Sequence, residues 1–91
     1  MIIGFKHKGL RDFYETGSTK GIKAVHVQKL TKILSIFERV SSLYEIEESY
    51  RLHRLRGKLA QYYAVNVDKN WRLIFQFRDN GFDLIDYLDY H

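Results

Sequence analysis

The chain has 91 residues, 45% of them hydrophobic and none of them cysteine, which predicts one domain over residues 1–91 and excludes disulfides and thiolate metal sites. Its net charge of +4 favours a polyanionic partner, although it also fits an ordinary solvated surface. Neither a membrane-spanning stretch of roughly 18 apolar residues nor a signal-peptide core is present, so we expect a cytoplasmic protein with no membrane partner.

The first half of the sequence predicts a short strand followed by two helices. The apolar opening predicts a strand from about Ile2 to Phe5. Before Gly17, which can end a helix, three apolar or aromatic side chains fall on one helical face: Leu10, Phe13 and Tyr14. From about Ala24 to Val40 a longer helix carries an apolar stripe that can cover a sheet: Val27, Leu30, Ile33, Leu34, Phe37 and Val40.

The second half changes to the period of strands. Residues 61–67 and 70–77 alternate apolar and polar side chains, which predicts two strands joined by "DKN". The pair Asn80-Gly81 tolerates the positive φ angles of a tight hairpin turn, so we predict a third strand from about Phe82 to Tyr87 that continues into the last residues. Residues 41–55 have no clear period, and we expect them to cross from the helices to the sheet, with serines and acids capping a short turn.

A basic run, "HRLRGK" at 53–58, carries three fixed positive charges and His53 but no acid, and it suggests a localised anion site. As an isolated residue, His53 also fits an ordinary loop histidine. His7 and His26 lie near helix starts and are expected at the surface. The spacing of the four histidines matches no metal-binding motif, so neither a metal nor another cofactor is predicted.

The closing "LIDYLDYH" places Asp89 two positions before His91, a carboxylate that would favour the protonated imidazolium of a proton donor. In a regular strand Tyr87, Asp89 and His91 share one face and Tyr90 points to the other. If the strand ended or bulged there, Tyr90 could turn toward the site and stack on a base.

Four segments resemble the HigB toxins, a branch of the RelE-type toxin superfamily of bacterial toxin-antitoxin modules: "FKHKGL" at 5–10, "YRLHRLRG" at 50–57, "NWRLIFQF" at 70–77 and the closing "YLDYH". The resemblance covers essentially the whole chain. It implies a compact α+β fold of the RelE-like, microbial ribonuclease type, with an N-terminal strand and two helices packed on an antiparallel sheet that ends in a three-strand meander.

The same resemblance implies a function and partners. The toxin is expected to cleave messenger RNA in the A site of the 70S ribosome, with contacts to 16S ribosomal RNA, and so to inhibit translation. A HigA-type helix-turn-helix antitoxin is expected to neutralise it, and operator DNA would be reached only through that antitoxin.

By position, the resemblance assigns catalysis to His53, Asp89, Tyr90 and His91. Together with the basic run, it assigns RNA and phosphate binding to Arg56, Lys58 and Arg72. The family commonly has "HPLKG" where this chain has "HRLRG", so a rigid proline is missing after His53, whereas Arg56 keeps the charge of the lysine it replaces.

RNA cleavage through its own 2′-hydroxyl needs a base for that proton, an acid for the 5′-oxygen and positive charge at the phosphate, and no metal is obligatory. We hypothesise that His53 and His91 share the acid and base steps in an order the sequence leaves open, and that Asp89 tunes an imidazole. Arg56 and Arg72 would hold the phosphate, and Tyr90 would stack on a nucleotide.

Two alternatives remain open from the sequence. One is a ParE-like toxin that inhibits DNA gyrase by binding, without a nuclease step. The other is a noncatalytic RNA-binding module with Tyr62, Tyr63 and Trp71 as stacking groups. Tyr63 and Trp71 fall on the apolar sides of their strands, which favours a place in the core.

Overall fold

The computed structural model describes residues 1–90, and two helices lie in their first half. Helix α1, Lys8–Thr16, begins at His7, whose Nδ1 accepts a hydrogen bond from the Leu10 amide, and ends at Gly17 with a φ of 81°. Helix α2, Val27–Arg39, follows a 3-10 turn over Ala24–His26. Both predicted helices are confirmed. Within residues 1–90, neither is long and apolar enough to cross a membrane.

Four antiparallel strands form one sheet in chain order. They are β1 (His53–Arg54), β2 (Tyr63–Asn66), β3 (Trp71–Arg78) and β4 (Gly81–Asp89). The predicted meander is β2 to β4, and the α+β fold class is confirmed. The two-residue strand β1 adds an edge that no period in the sequence indicated.

The opening segment is less regular than predicted. In place of a strand ladder, it makes two isolated parallel bridges to β4, Ile2 with Phe82 and Phe5 with Ile85. Between these bridges β4 bulges at Leu84, which has a φ of 51°, and the pairing with β3 shifts there. A bulge interrupts the regular spacing of backbone donors and acceptors, so a continuous ladder cannot form along this edge.

The hairpin between β3 and β4 is confirmed, but its turn lies one residue earlier than predicted. Arg78 pairs with Gly81, so the two loop residues are Asp79 and Asn80, with φ angles of 53° and 60°. Gly81 is needed for space instead, because a Cβ there would lie 2.8 Å from the Ile3 side chain.

The helices cover one face of the sheet, which we call the covered face. Phe37 of α2 stacks on Phe82 with 4.0 Å between ring centroids and meets Phe75 edge-on at 5.0 Å. Tyr63 and Trp71, considered above as stacking groups, pack against this core as expected. The most deeply buried side chains of the covered face are Leu10, Leu30, Ile33, Phe37, Val65, Leu73, Phe75, Phe82 and Ile85.

The opposite face, which we call the open face, receives the alternate side chains of each strand. A small second cluster of Leu55, Ala64 and Ile74 covers part of it, with Tyr62 and Leu88 packed at the margin. The rest of the open face carries polar and charged side chains.

The segment between α2 and β1 crosses from the helices to the sheet, as predicted. It contains 3-10 turns at Leu43–Glu45 and Glu48–Tyr50. Ser42 and Glu45 cap the first turn reciprocally, so the predicted capping role of the serines and acids is confirmed.

Candidate active site

The sheet register brings His53 and Arg72 to the same face. His53 lies on β1 opposite Ala64, and Arg72 lies on β3 opposite Asn66. Ala64 and Asn66 are two residues apart on β2, so their partners share the open face. Ideal strand spacing puts the two Cα atoms roughly 12 Å apart. His53, Asn66 and Arg72 line one surface cavity of about 740 Å³, into which the long side chains can converge on one phosphate.

The backbone fixes the tautomer of His53. Its Nδ1 lies 2.9 Å from the carbonyl oxygen of Arg51, a residue in the left-handed conformation with a φ of 54°. A carbonyl can only accept, so Nδ1 carries the proton and the lone pair of the neutral ring is on Nε2. The exposed His53 ring is therefore prepared to take a proton at Nε2.

Arg72 is held by the loop that joins β2 and β3. Its Nη1 donates to the carbonyl oxygens of Asp68 at 3.1 Å, Lys69 at 3.3 Å and Trp71 at 3.3 Å. These contacts fix the plane of the guanidinium through one nitrogen, while Nε and Nη2 carry the other donors. That arrangement suits bidentate binding of a phosphate.

Tyr90 reaches the open face by the regular alternation of β4. Its ring lies under the guanidinium of Arg72, with 5.5 Å between the ring centroid and Cζ, and 45% of the residue is exposed. The Tyr90 amide donates to the carbonyl oxygen of Asn70 at 2.5 Å. The described part of the chain end is therefore paired, and no bulge near Tyr90 is needed to bring its ring beside Arg72.

Asp89 lies on the covered face of the sheet. It pairs with Trp71 and lines a separate cavity of about 390 Å³ together with His7, Lys23 and Tyr87. The structure therefore does not bring Asp89 into the cavity of His53 and Arg72. His91 lies outside the described residues, so its assignment as a catalytic residue stays a prediction.

Arg56 and Lys58 are exposed on the loop that follows β1. The loop turns at Gly57, which has a φ of 66°, and Arg54 Nε donates to the Ala60 carbonyl at 2.7 Å across it. These features shape the loop without the family's proline. Neither basic side chain lines the cavity of His53 and Arg72.

His26 contradicts the prediction of a surface histidine, because only 2% of it is exposed. Its Nε2 lies 2.6 Å from Oδ2 of Asp68, and its Nδ1 lies 2.5 Å from the hydroxyl of Tyr87. The hydrogen bond with His26 is the main cause that lowers the pKa of Asp68 to about 2. Burial raises the pKa of Tyr87.

A signal for this burial was present in the sequence. His26 precedes Leu30 by four residues and Ile33 by seven, so it falls on the apolar stripe of α2. Among residues 1–90, no three His, Asp or Glu side chains are grouped closely enough to hold a metal ion.

Solved structures that superpose on this chain include a toxin and a chain of a YoeB-YefM complex. The YoeB/ParE toxin from Agrobacterium tumefaciens superposes with a TM-score of 0.67 at 14% identity, over 100% of both chains. The YoeB-YefM complex from Staphylococcus aureus contains a chain that matches at 0.65 and 21% identity, over 100% of this chain and 98% of that one. YafQ from E. coli matches at 0.65 and 15% identity, over 96% and 91%. At such low identities these matches establish the fold, which is that of the RelE-like toxins.

The sequence comparisons narrow this class. The family model for the RelE-like toxin of the type II toxin-antitoxin system HigB matches residues 3–91. Endoribonuclease HigB of Proteus vulgaris is 36% identical over 92 residues, covering 100% of both chains. Toxin HigB-1 of Vibrio cholerae is 35% identical over 96 residues, covering 100% of this chain and 98% of the relative. The chain belongs to the HigB-like toxin family, and the resemblance stated from its motifs is confirmed.

Proposed function

We propose that this toxin is an endoribonuclease that cleaves messenger RNA in the A site of the translating 70S ribosome and thereby inhibits translation. The observation that carries the proposal is the shared cavity of His53 and Arg72, with a proton-accepting Nε2 on one side and an oriented guanidinium on the other. The relative from Proteus vulgaris, identical at 36% of positions, is named an endoribonuclease.

The proposed reaction uses the 2′-hydroxyl of the RNA as nucleophile. His53 Nε2 takes the proton of that hydroxyl, and the oxygen attacks the adjacent phosphorus. The bond from phosphorus to the 5′-oxygen then breaks, and an acid protonates the leaving oxygen. The products are a 2′,3′-cyclic phosphate and a 5′-hydroxyl, and neither a metal nor another cofactor is needed because the substrate supplies its own nucleophile.

Arg72 stabilises the charge that develops on the phosphoryl oxygens, and its fixed orientation means that little reorganisation is required during the reaction. The ring of Tyr90, beside the guanidinium, offers a stacking surface for a base. We keep His91 as the proposed acid. Asp89 faces away from the cavity, so a contribution of Asp89 to catalysis would have to act through its neighbours in the chain.

Arg56 and Lys58 are proposed to bind the RNA backbone, or 16S ribosomal RNA, beside the cavity. As exposed cations on one loop they attract phosphates without reading sequence. A type II toxin acts with an antitoxin partner, and we propose that this partner is a HigA-type helix-turn-helix protein through which the pair reaches operator DNA. Because its proposed target is the translating ribosome, we propose that the toxin acts in the cytoplasm. We also propose that residues 1–91 form one domain.

The experiment is to incubate the toxin with ribosomes stalled on a defined message and to map the RNA ends, with the same message free of ribosomes as a parallel sample. We expect cuts within the A-site codon, ending in cyclic phosphate, only when ribosomes are present. His53→Ala should abolish these cuts, whereas Lys32→Ala, which removes an exposed cation from α2, should leave them unchanged.

The same preparation should be tested on gyrase supercoiling, because a ParE-like inhibitor has this fold as well. Inhibition of supercoiling with an intact message would overturn the nuclease proposal. Cleavage at the wild-type rate by a folded His53→Ala variant would overturn the catalytic role of His53.

A further inference from the structure

His26 and Asp68 lie outside the cavity, but their contacts reach both Arg72 and Tyr90. We infer that buried His26 and its partly exposed partner Asp68 form a positioning device, which holds the loop between β2 and β3 in the shape that orients Arg72 and Tyr90 on the open face. This inference rests on the proposed function for its catalytic consequence, but its structural part is tested independently.

His26 is itself fixed by its neighbours. Its ring packs edge-on against Trp71 and Tyr87, with centroids 5.5 Å and 5.8 Å away. Nε2 donates to the Asp68 carboxylate, so Nδ1 of the neutral ring accepts from the Tyr87 hydroxyl. The Tyr87 oxygen in turn accepts from the Lys23 amide at 3.4 Å. Every polar atom in this chain of bonds therefore has a partner of the right kind.

Asp68 connects His26 to the loop between β2 and β3. One carboxylate oxygen, Oδ2, binds His26, while the other, Oδ1, accepts from the backbone amides of Asn70 and Trp71 at 2.9 Å each. The Asp68 and Val67 amides both donate back to the Trp71 carbonyl, at 3.2 Å and 2.9 Å. A carboxylate anchored at both oxygens fixes the loop relative to α2.

The same loop holds Arg72 and Tyr90. The carbonyls of Asp68 and Lys69 accept from Arg72 Nη1, and the carbonyl of Asn70 accepts from the Tyr90 amide. A displacement of this loop moves both groups together. Misplacement by about 1 Å in a catalytic site can cost roughly 100-fold in rate, so a small loss of order in the loop is sufficient to be measured.

His26→Phe is the test variant, because it keeps a ring between Trp71 and Tyr87 while removing both hydrogen bonds. The matched control is Tyr87→Phe, which also removes a buried hydrogen bond from His26 but leaves the bond to Asp68 intact. Asp68→Asn is the conservative variant. Its side-chain oxygen can still accept from the loop amides, and its NH2 group can donate to Nε2 of the other neutral tautomer of His26.

Single-turnover cleavage at saturating toxin should fall about 10-fold to 100-fold in His26→Phe. Tyr87→Phe should stay within a few-fold of wild type, and Asp68→Asn should lie between the two. In an Arg72→Ala background, His26→Phe should reduce the rate much less than it does in the wild type, because the group that it positions is absent. All rates are compared at a temperature where each variant is folded by circular dichroism. The positioning role is overturned if His26→Phe lowers the cleavage rate by the same factor in the wild type and in the Arg72→Ala background. It is also overturned if Tyr87→Phe loses as much rate as His26→Phe.

Hydrogen exchange supplies a readout that needs no activity. The Tyr90 amide should exchange faster in His26→Phe than in wild type or Tyr87→Phe, while the amide of Leu73 in the centre of the sheet should stay protected in all three. Unchanged exchange at Tyr90 in His26→Phe overturns the inference whatever the cleavage assay shows. If wild-type toxin cuts no message but Tyr90 loses protection in this variant, the proposed function fails and the structural link stands.

Discussion

The backbone amide of Tyr90 donates to the carbonyl oxygen of Asn70 at 2.5 Å, which joins the end of the described chain to the loop between β2 and β3. That loop also holds the guanidinium of Arg72. The aromatic ring and the cation of the open face are therefore placed by one short segment, although they lie 18 residues apart in sequence. The site depends on this loop as much as on the strands.

The tautomer of His53 leads to a prediction about which proton it moves. We expect His53→Ala to lower the single-turnover cleavage rate by about 10² to 10⁴, the usual value of a positioned acid-base group. If His53 is the base, a message with sulfur in place of the bridging 5′-oxygen should not restore that rate. A thiolate leaves without an acid, because the pKa of a thiol is near 8.5. The sulfur substitution therefore compensates for a missing acid but not for a missing base.

The matched variant for this experiment is His91→Ala, which tests the predicted acid. The sulfur-containing message should restore its cleavage toward the wild-type rate on the same message. Rescue of His53→Ala and not of His91→Ala would reverse the two assignments. Rescue of neither would show that His91 does not protonate the leaving oxygen.

Arg72 should not be replaceable by lysine. Arg72→Lys keeps the charge but loses the planar group that three loop carbonyls orient and that lies over the ring of Tyr90. We expect Arg72→Lys to reduce the cleavage rate about 10-fold or more, with Arg72→Ala lower still. Arg11→Lys, an exposed arginine of α1, is the control and should cleave like wild type. Equal rates for Arg72→Lys and wild type would show that charge alone is sufficient.

Arg56 and Lys58 should contribute to binding rather than to the chemical step. Neither side chain lines the cavity of His53 and Arg72, so we expect their removal to take away phosphate contacts rather than to change the reacting groups. We expect Arg56→Ala and Lys58→Ala each to weaken binding of a catalytically blocked RNA and to lower the dependence of log K on log salt by about 0.7. Fluorescence anisotropy over a salt series measures both quantities. An unchanged slope together with a reduced cleavage rate would instead place these cations in the reaction.

Much of the fold was predictable because its signals are local. The alternation of β3 and the stripe of α2 require only neighbours in sequence, and both elements are confirmed. The strand β1 could not be predicted, because two residues at a sheet edge are too few to show a period. The burial of His26 does not follow from its place near a helix start, although its spacing matches the apolar stripe of α2.

The arrangement of the site could not be predicted as well, because it depends on register. A turn at Asn80-Gly81 without a bulge would have paired Arg72 with Asp89 and brought that carboxylate to the open face. The actual turn is one residue earlier, and the bulge at Leu84 shifts the pairing again, so Arg72 pairs with Leu88. A slip of one residue moves every side chain to the other face. Neither the bulge nor the turn position has a strong local signal.

Asp68 should make folding stability depend on pH at the acidic end. Its pKa is about 2 in the folded chain, below the unfolded value near 3.9. The stabilisation is therefore present above about pH 4 and is lost as the pH falls through the folded pKa. The full shift would correspond to about 2.5 kcal/mol. Because 45% of this side chain is exposed, solvent screening reduces our expectation to about 1 kcal/mol.

The measurement for Asp68 is the free energy of unfolding of wild type and Asp68→Asn, by urea denaturation at pH 6 and pH 2. The difference should be about 1 kcal/mol at pH 6 and a few tenths at pH 2. Asp79→Asn, which removes a carboxylate that is 79% exposed, controls for the loss of a negative charge. A difference that is the same at both pH values would mean that the carboxylate form of Asp68 is not what stabilises the fold.

The turn between β3 and β4 offers a prediction in the stabilising direction. Asp79 and Asn80 both have positive φ angles, of 53° and 60°, and a two-residue hairpin loop of this kind prefers glycine at its second position. Asn80→Gly should therefore raise the free energy of unfolding by a few tenths to about 1 kcal/mol, without changing cleavage. Asn80→Ala is the matched variant and should be destabilised, since alanine pays the steric cost of a left-handed residue. Urea denaturation of both variants measures this difference. Equal stability of Asn80→Gly and Asn80→Ala would contradict a left-handed conformation at residue 80.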